Sequence, residues 1–282
     1  MIITHTITET RERICQARAE GKTIGLVPTM GFFHEGHLSL MRQARKDNGF
    51  VVVSLFVNPI QFGPTEDFKT YPRNLEHDAR MAESVDVDLI FNPGIREMYG
   101  ENYRTFVRME QLTEGLCGAS RPGHFDGVAT VVLKLFNIVQ PDRAYFGQKD
   151  YQQLKVIERM VRDLNVPVEI VPMPIVREPD GLAMSSRNTY LSPDERRAAL
   201  VLSESLAYGQ ELLSQGVTSG EELRQKVEEF IKQEPVAEID YVAVVDSEGL
   251  DCLASIEDKA LLALAVRIGK TRLIDNAVIS KK

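Results

Sequence analysis

Two histidines separated by two residues are the first candidates for chemistry in this sequence. They lie in Pro28-Thr-Met-Gly-Phe-Phe-His34-Glu-Gly-His37, which leads from an apolar stretch into a helix-like segment. A helix N-terminus favours anions through its free N–H groups and its dipole, and imidazoles at i and i+3 share one helix face. Gly31 permits a close backbone turn, and Gly36 leaves a surface on which a flat base can lie. We therefore expect a nucleotide-phosphate site where the imidazoles stabilise charge on a departing pyrophosphate.

Two other interpretations of the histidine pair are a helix-capping or core role and a metal site. The spacing His-Glu-Gly-His is one residue short of the zinc motif H-E-x-x-H, and no third ligand lies nearby in the sequence. The chain has 5 histidines, so two that flank a single glycine seldom arise by chance. The pattern favours the phosphate site.

A second motif, Val57-Asn-Pro-Ile-Gln-Phe-Gly-Pro64, follows the most apolar run of the chain. Asn58 and Gln61 place neutral amide groups there, which suit the hydroxyl and carboxylate oxygens of a small substrate. The alternative is a proline-rich turn with solvated amides. Tyr71-Pro-Arg73 is a further candidate for lining the same pocket.

A third motif, Phe146-Gly-Gln-Lys-Asp-Tyr-Gln-Gln153, again passes from a strand into a helix. Gly147 permits close backbone approach, and Lys149 supplies a point charge for phosphate. Asp150 is placed for helix capping or for a ribose hydroxyl, and Gln153 follows about one turn later. The alternative is an ordinary capped helix with a solvated lysine.

The fourth motif is a loop, Val176-Arg-Glu-Pro-Asp-Gly-Leu-Ala-Met-Ser-Ser-Arg-Asn188. With two hydroxyls and Arg187, a flexible loop of this kind can close over a triphosphate as a lid. The alternative is a solvated linker between domains.

Alternating strands and helices must position these motifs. The stretch FVVVSLFV at 50–57 is too continuously apolar for a half-solvated strand and suits a central parallel strand. The alternation predicts an α/β fold with a doubly wound, Rossmann-like parallel sheet. Strands are predicted at 23–27, 50–57, 87–91, 143–146 and 168–171, and helices at 37–48, 75–84, 127–139 and 151–164.

A second, smaller α+β domain is predicted after a boundary that falls within Val171-Pro-Met-Pro174 or soon after it. Ser192 caps a helix that Gly216 ends, and a second helix starts at Thr218 or Ser219 and stops before Pro235. Strands are expected at 239–245 and 261–268, with a third possible at 273–279. The predicted domains are 1–175, which binds the substrates, and 176–282, which acts as a lid.

The composition excludes several classes of protein. The chain has 282 residues and a net charge of −8, of which −2 falls in residues 1–175 and −6 in 176–282. This balance argues against a nucleic-acid partner, which needs a basic surface, but it leaves room for one basic pocket. The three cysteines are far apart, no apolar run approaches a membrane span, and residues 1–12 lack an export signal. We expect a cytoplasmic protein without a membrane or nucleic-acid partner.

Taken together, the motifs resemble those of the pantothenate synthetase (pantoate–β-alanine ligase) family. P-T-M-G-x-x-H-x-G-H, V-N-P-x-Q-F-G, F-G-Q-K-D-Y-Q-Q and M-S-S-R-N occur in the family's order. The histidine motif alone would indicate only the wider nucleotidyltransferase group, which includes class I aminoacyl-tRNA synthetases. The resemblance implies that pantoate attacks the α-phosphate of MgATP, giving pantoyl adenylate and pyrophosphate, and that β-alanine then displaces AMP. It also implies a homodimer.

The resemblance assigns roles position by position. His37 is implied as proton donor, with His34, Lys149 and Arg187 as further catalytic residues. No metal-ligating side chains are assigned, so Mg²⁺ is expected to arrive with the nucleotide. Where the wider group has K-M-S-K-S this chain reads A-M-S-S-R, which leaves the first lysine's role to Lys149. The implied ATP-binding residues are Met30, Gly31, Phe32, Phe33, His34, Glu35, Gly36, His37, Gly147, Gln148, Lys149, Asp150, Val176, Met184, Ser185, Ser186 and Arg187; pantoate is implied to bind Gln61, Gln153, Met30 and Asn58, and β-alanine Gln61.

Two further hypotheses differ in what happens to ATP. A nucleotidyltransferase would move AMP to a phosphate acceptor, for which several cations would be needed in place of the neutral amides. A non-catalytic nucleotide-binding protein would bind ATP without releasing pyrophosphate. Pyrophosphate release with pantoate, with and without β-alanine, separates the three.

Overall fold

The structure is a computed structural model that describes residues 1–64 and 66–281. By Cα packing the chain forms two compact units. The first unit contains residues 1–110, 121–148 and 156–174, and the second unit contains 111–120, 149–155 and the chain from 175 onward. The second unit thus contains two earlier segments, 111–120 and 149–155, besides the chain from 175 onward.

The strands and helices alternate through the first half of the chain. The strands are β1 Ile2–Thr4, β2 Ile24–Thr29, β3 Phe50–Leu55, β4 Leu89–Phe91, β5 Arg143–Gly147, β6 Glu169–Met173, β7 Ala237–Val245, β8 Lys259–Ile268 and β9 Thr271–Ser280. The α-helices are α1 Ile7–Ala19, α2 Glu35–Asp47, α3 Leu75–Glu83, α4 Ile95–Tyr99, α5 Leu116–Ser120, α6 His124–Val139, α7 Tyr151–Asp163, α8 Pro193–Ala198, α9 Val201–Ser214 and α10 Gly220–Ile231. No helix in the described part of the chain is both long and apolar enough to cross a membrane.

In the first unit, six parallel strands form one sheet in the order β1-β4-β3-β2-β5-β6. Val51 and Val53 of β3 pack in a buried cluster with Met41 of α2. Val52, which lies between them and points to the opposite face, is fully buried as well. Because successive strand residues point to opposite faces, both faces of the sheet are covered. The predicted doubly wound α/β sheet is confirmed.

The second unit has a three-stranded antiparallel sheet, β7-β8-β9, as the α+β prediction requires. Its buried cluster joins β8 to α9 and α10 through residues such as Leu264, Leu206 and Val227. The cap at Ser192 is present with its capping box, and Ser219 caps α10.

The structure differs from the sequence prediction at the N-terminus and after Ser192, and it adds the short helices α4 and α5. The N-terminal residues form β1 and α1, although their sequence has no periodic pattern of apolar residues from which these elements were predicted. Thr6 and Glu9 form a capping box at the start of α1. The helix expected from Ser192 to Gly216 is divided into α8 and α9. At the break, Leu200 N–H bonds to Arg197 O and Leu202 N–H to Ala199 O, so the helix tightens to i→i+3 bonding.

Candidate active site

The strand order places a switch point between β2 and β5. From β2 the chain moves outward through β3 to β4, and it later returns to add β5 and β6 on the other side of β2. In open parallel sheets ligands bind beyond the carboxyl ends of strands at such a point. The loop from Met30 to His34 follows β2, and Gln148 follows β5. Apart from Gly147 itself and its two neighbours in the chain, no described residue has an atom within 4 Å of the position that a Cβ on Gly147 would take.

A buried carboxylate holds the loop after β2. Asp78 on α3 is 0% exposed, and its two oxygens accept the N–H groups of Phe32 at 2.8 Å and Phe33 at 2.7 Å. Gly31 and Phe32 both have positive φ (89° and 54°), and a Cβ on Gly31 would stand 3.0 Å from Asp78 Oδ2. Burial raises the pKa of Asp78, while the two N–H groups act to lower it. The carboxylate thus fixes a left-handed turn directly before the histidines.

The two histidines meet at the N-terminus of α2, as the spacing predicted. His34 is the N-cap residue, and its ring centroid lies 4.1 Å from that of His37. The N–H of His34 donates to His37 Nδ1 at 3.3 Å, so the proton of the neutral His37 ring is on Nε2. The Glu35 side chain forms an ion pair with Arg42, which lowers the pKa of Glu35. A contribution of Glu35 to a ligand at this helix end would therefore come through its backbone.

The two amides after β3 are buried and linked to each other. Asn58 is 1% and Gln61 8% exposed, so they are not the solvated amides of a simple turn. Asn58 Nδ2 donates to Gln61 Oε1 and to the carbonyl of Gly127, both at 3.1 Å, and Asn58 Oδ1 accepts from Tyr99 Oη at 2.6 Å. Gln61 Nε2 lies 3.2 Å from Met30 Sδ. The structure thus brings together Met30, Asn58 and Gln61, with Asn58 orienting Gln61.

Three side chains that the sequence analysis did not single out, His124, Arg121 and Glu66, support the backbone of Gln61. His124 Nδ1 lies 2.8 Å from Gln61 O, and Arg121 Nη1 donates to His124 Nε2 at 3.0 Å. Because Nε2 accepts, Nδ1 carries the ring proton and donates to the carbonyl. Arg121 also pairs with Glu66 through both carboxylate oxygens, at 2.7 and 2.6 Å. Burial would raise the pKa of Glu66, but the Arg121 guanidinium holds it below its ordinary value.

In the second unit, the two glutamines at the start of α7 have different surroundings. Gln152 is 6% exposed, donates to the carbonyls of Leu112 and Gly115, and accepts the N–H of Cys117. Its amide is therefore used to hold 112–117. Gln153, the residue predicted to bind substrate, is only partly buried.

The loop from Val176 to Asn188 is tied at its base. Met184 N–H donates to the Val176 carbonyl at 3.0 Å, which joins two of the segments predicted to bind ATP. Ser185 caps the short 3-10 turn Ser186–Tyr190, where its Oγ accepts the N–H of Arg187 at 3.3 Å.

Ion pairs hold the outer part of the same loop. Arg196 on α8 reaches both Glu178 and Asp180, and it lowers the pKa of Asp180. Asn188 Nδ2 also donates to Glu178 Oε1 at 2.8 Å. The predicted flexible lid therefore has an ordered, charged framework.

Sequence reasoning missed Asp78, Arg121 and His124. The usable signal for Asp78 was its place on α3: with Ala82 it occupies the buried face, where a carboxylate needs partners. Arg121 and His124 stand in a polar stretch without hydrophobic period, and only the fold brings them to Gln61. Among the described residues, no group of three or more His, Cys, Asp or Glu side chains is arranged to hold a metal ion.

The chain is similar to known proteins over nearly its whole length. Residues 2–278 match the family model described as pantoate-beta-alanine ligase. The chain is 63% identical to the pantothenate synthetase of Heliobacterium modesticaldum over 94% of both chains, and 57% identical to that of Pelotomaculum thermopropionicum over 100% of both. It is similar to the crystal structure of the Thermus thermophilus pantothenate synthetase, with TM-score 0.93, 49% identity and coverage of 98% of this chain and 99% of that one.

A fourth comparison concerns a protein with ligands. The crystal structure of pantoate-beta-alanine ligase from Francisella tularensis, complexed with beta-gamma ATP and β-alanine, is similar with TM-score 0.81 and 35% identity. The match covers 99% of this chain and 97% of that one. The likeness therefore extends over both units.

Proposed function

The chain belongs to the pantoate–β-alanine ligase family, and from that premise we propose that it condenses pantoate with β-alanine at the expense of ATP. The full-length match to relatives named pantothenate synthetase carries this conclusion. The pantoate carboxylate attacks the α-phosphate, which forms pantoyl adenylate and releases pyrophosphate. The β-alanine amine then attacks the acyl carbon and expels AMP. Adenylation is needed because a free carboxylate is a poor acyl donor.

For the first step we assign the phosphates to the N-terminus of α2. His34 and His37 lie side by side there, and His37 presents a proton on Nε2. A donor at this position stabilises negative charge as pyrophosphate leaves, by hydrogen bonding and by proton donation. The free N–H groups of the helix add to the same potential.

We assign pantoate and β-alanine to Gln61, with Met30 beside it. Asn58 contributes to the pantoate site by fixing the Gln61 amide, and Gln153 provides a second neutral amide for pantoate. Neutral donors suit the hydroxyls of pantoate without competing for the phosphates. The nucleotidyltransferase hypothesis would need cations in these positions.

The remaining ATP contacts are assigned by family. Lys149 and Arg187 supply point charges to the phosphates, and the Val176 backbone and the 184–187 segment complete the set. The proposed ATP-binding residues are Met30, Gly31, Phe32, Phe33, His34, Glu35, Gly36, His37, Gly147, Gln148, Lys149, Asp150, Val176, Met184, Ser185, Ser186 and Arg187.

Three further properties belong to this proposal. Mg²⁺ would enter with the phosphates of ATP and keep several water ligands, as is usual for this ion at nucleotide sites. The active species is a homodimer, by analogy with the family. The protein works in the cytoplasm, since its three cysteines are all free thiols.

The decisive experiment follows pyrophosphate and AMP by chromatography with ATP, Mg²⁺ and pantoate, with and without β-alanine. We expect pyrophosphate with pantoate alone and pantothenate only when β-alanine is added. Pyrophosphate that appears only with a phosphorylated acceptor would instead identify a nucleotidyltransferase. ATP binding without any product would identify a non-catalytic nucleotide-binding protein.

Two substitutions test the assigned roles. His37→Ala should abolish adenylate formation while the circular dichroism spectrum stays unchanged; near-normal turnover would remove His37 from the mechanism. Gln61→Ala should raise the KM of pantoate and of β-alanine, and a defect confined to ATP would contradict its assignment.

A further inference from the structure

Two consecutive buried residues on β9, Asp275 and Asn276, each hold a different loop of the second unit. They are 2% and 6% exposed, and neither belongs to the residues that family resemblance assigns to substrates. Successive strand residues point to opposite faces, so adjacent positions can reach two separate segments. Asp275 Oδ1 also accepts the N–H of Asn276 at 2.8 Å, which couples the two positions.

Asp275 holds the base of the loop that starts at Val176. Its carboxylate pairs with both terminal nitrogens of Arg177, at 2.6 and 2.9 Å. Arg177 Nη1 also donates to the carbonyl of Gly181 at 3.0 Å, so the pair is connected to the turn of the loop. A bidentate pair with a buried carboxylate fixes orientation as well as distance.

Asn276 holds the backbone of Lys149. Its Nδ2 donates to the Lys149 carbonyl at 2.9 Å, immediately before the first turn of α7. A lysine side chain has four rotatable bonds, so the position of its ammonium group depends on where its backbone is fixed. One strand therefore anchors both segments of the second unit that are assigned to ATP.

We propose that Asp275 and Asn276 are positioning residues, which set Lys149 and the 176–188 loop at a fixed spacing for the triphosphate. This inference rests on the proposed function, because that function assigns both segments to ATP. Neither residue touches the reacting atoms; each acts through the backbone or the guanidinium that it holds. Preorganised charge is worth more than charge that must be brought into place during the reaction.

The test uses Asn276→Ala, which removes the hydrogen bond to the Lys149 carbonyl and leaves the Arg177 pair in place. We expect kcat/KM for ATP in pyrophosphate release to fall roughly five- to tenfold, the range for one lost hydrogen bond. The KM of β-alanine should not change. Asp275→Asn should raise the KM of ATP further, but it leaves the half-buried Arg177 guanidinium poorly paired and impairs folding as well, so Asn276→Ala is the deciding variant.

A double-mutant cycle separates positioning from general stability. In a Lys149→Ala background, Asn276→Ala should have little further effect on ATP, because the side chain whose position it sets is gone. The matched control is Gln210→Ala, which removes side-chain hydrogen bonds to Ser280 on the same strand and should leave kcat/KM unchanged. Full additivity in the cycle, or an equal loss in the Gln210 control, would overturn the inference.

The wild-type protein separates this inference from the proposed function. If the wild-type protein releases no pyrophosphate, the proposed function alone is refuted. The ATP affinities of the same variants, measured by calorimetry, would then test the positioning role of Asp275 and Asn276. Wild type that is active, with Asn276→Ala equal to it in both ATP affinity and kcat/KM, would refute the positioning role alone.

Discussion

Asp78→Asn is the substitution that most directly tests how the histidine loop is held. The carboxylate is fully buried and accepts two backbone N–H groups at 2.8 and 2.7 Å. Asparagine has nearly the same shape but only one acceptor oxygen, so its NH₂ group would face one of the two N–H donors. The loop should lose one anchor at the point where Phe32 has a left-handed backbone.

The size of the effect follows from three contributions. A hydrogen bond to a charged group contributes about 1.5–3 kcal/mol, and an N–H left without a partner in a buried site costs about 1–3 kcal/mol. Part of this loss of stability is offset, because the wild-type protein has to bury the charge of Asp78, which is unfavourable and raises the pKa of Asp78, whereas asparagine carries no charge. We expect the free energy of unfolding to fall by about 2 kcal/mol at neutral pH.

The assay combines urea unfolding, followed by circular dichroism, with calorimetric titration of a non-hydrolysable ATP analogue. ATP affinity should fall at least about tenfold, since a loop that frays must be ordered again on binding. Asp88→Asn is the control: Asp88 also accepts a backbone N–H, from Val51 at 2.8 Å, and it pairs with Arg45, but it lies before the amino end of β4. It should lower stability without changing ATP affinity. Unchanged stability and affinity in Asp78→Asn would refute the reasoning.

Two further predictions concern the support of Gln61. In Gly127→Ala the new Cβ would stand 2.6 Å from the backbone oxygen of Ile60, so the turn that carries Gln61 must shift and the KM of pantoate should rise severalfold. The control is Gly94→Ala, whose new Cβ would meet no neighbouring side chain or backbone within 4 Å. In steady-state kinetics this control should match wild type. Glu66 has a lowered pKa because of Arg121, so its stabilisation is present above the ordinary pKa of 4.5 and is lost as pH falls through the folded value. Glu66→Gln should therefore be less stable than wild type by about 1 kcal/mol at pH 7 and approach it near pH 3 in urea titrations, and parallel curves would contradict this.

Much of the fold follows from local patterns in the sequence. Continuous apolar runs such as 50–57 identify strands covered on both faces, and Ser192 and Ser219 mark helix starts through their caps. The short strand β1 carries no such signal, since only three residues pair with β4. The order of the strands was also beyond reach, because it depends on which elements pair across long separations.

The candidate site shows the same division. Histidines, amides and a lysine at strand ends were visible because their spacing is local. Asp78, Arg121 and Asn276 act on backbone groups, and Asp275 acts on the Arg177 guanidinium, in each case 45 or more residues away in the chain. Such partners become recognisable only when the fold brings them together, so sequence reasoning proposes groups for the substrate more readily than it identifies the residues that support them.

The position of β5 beside β2 has a consequence for how the protein is made. Residues 24–29 leave the ribosome early, but their neighbour at 143–147 follows more than a hundred residues later. The edge of β2 that pairs with β5 at Gly25 and Leu26 therefore stays unpaired until over half of the chain has been synthesised, and closing so long a loop slows folding. Nascent chains that end before β5 should have the histidines but no completed nucleotide pocket, so ATP can stabilise this protein only late in its synthesis.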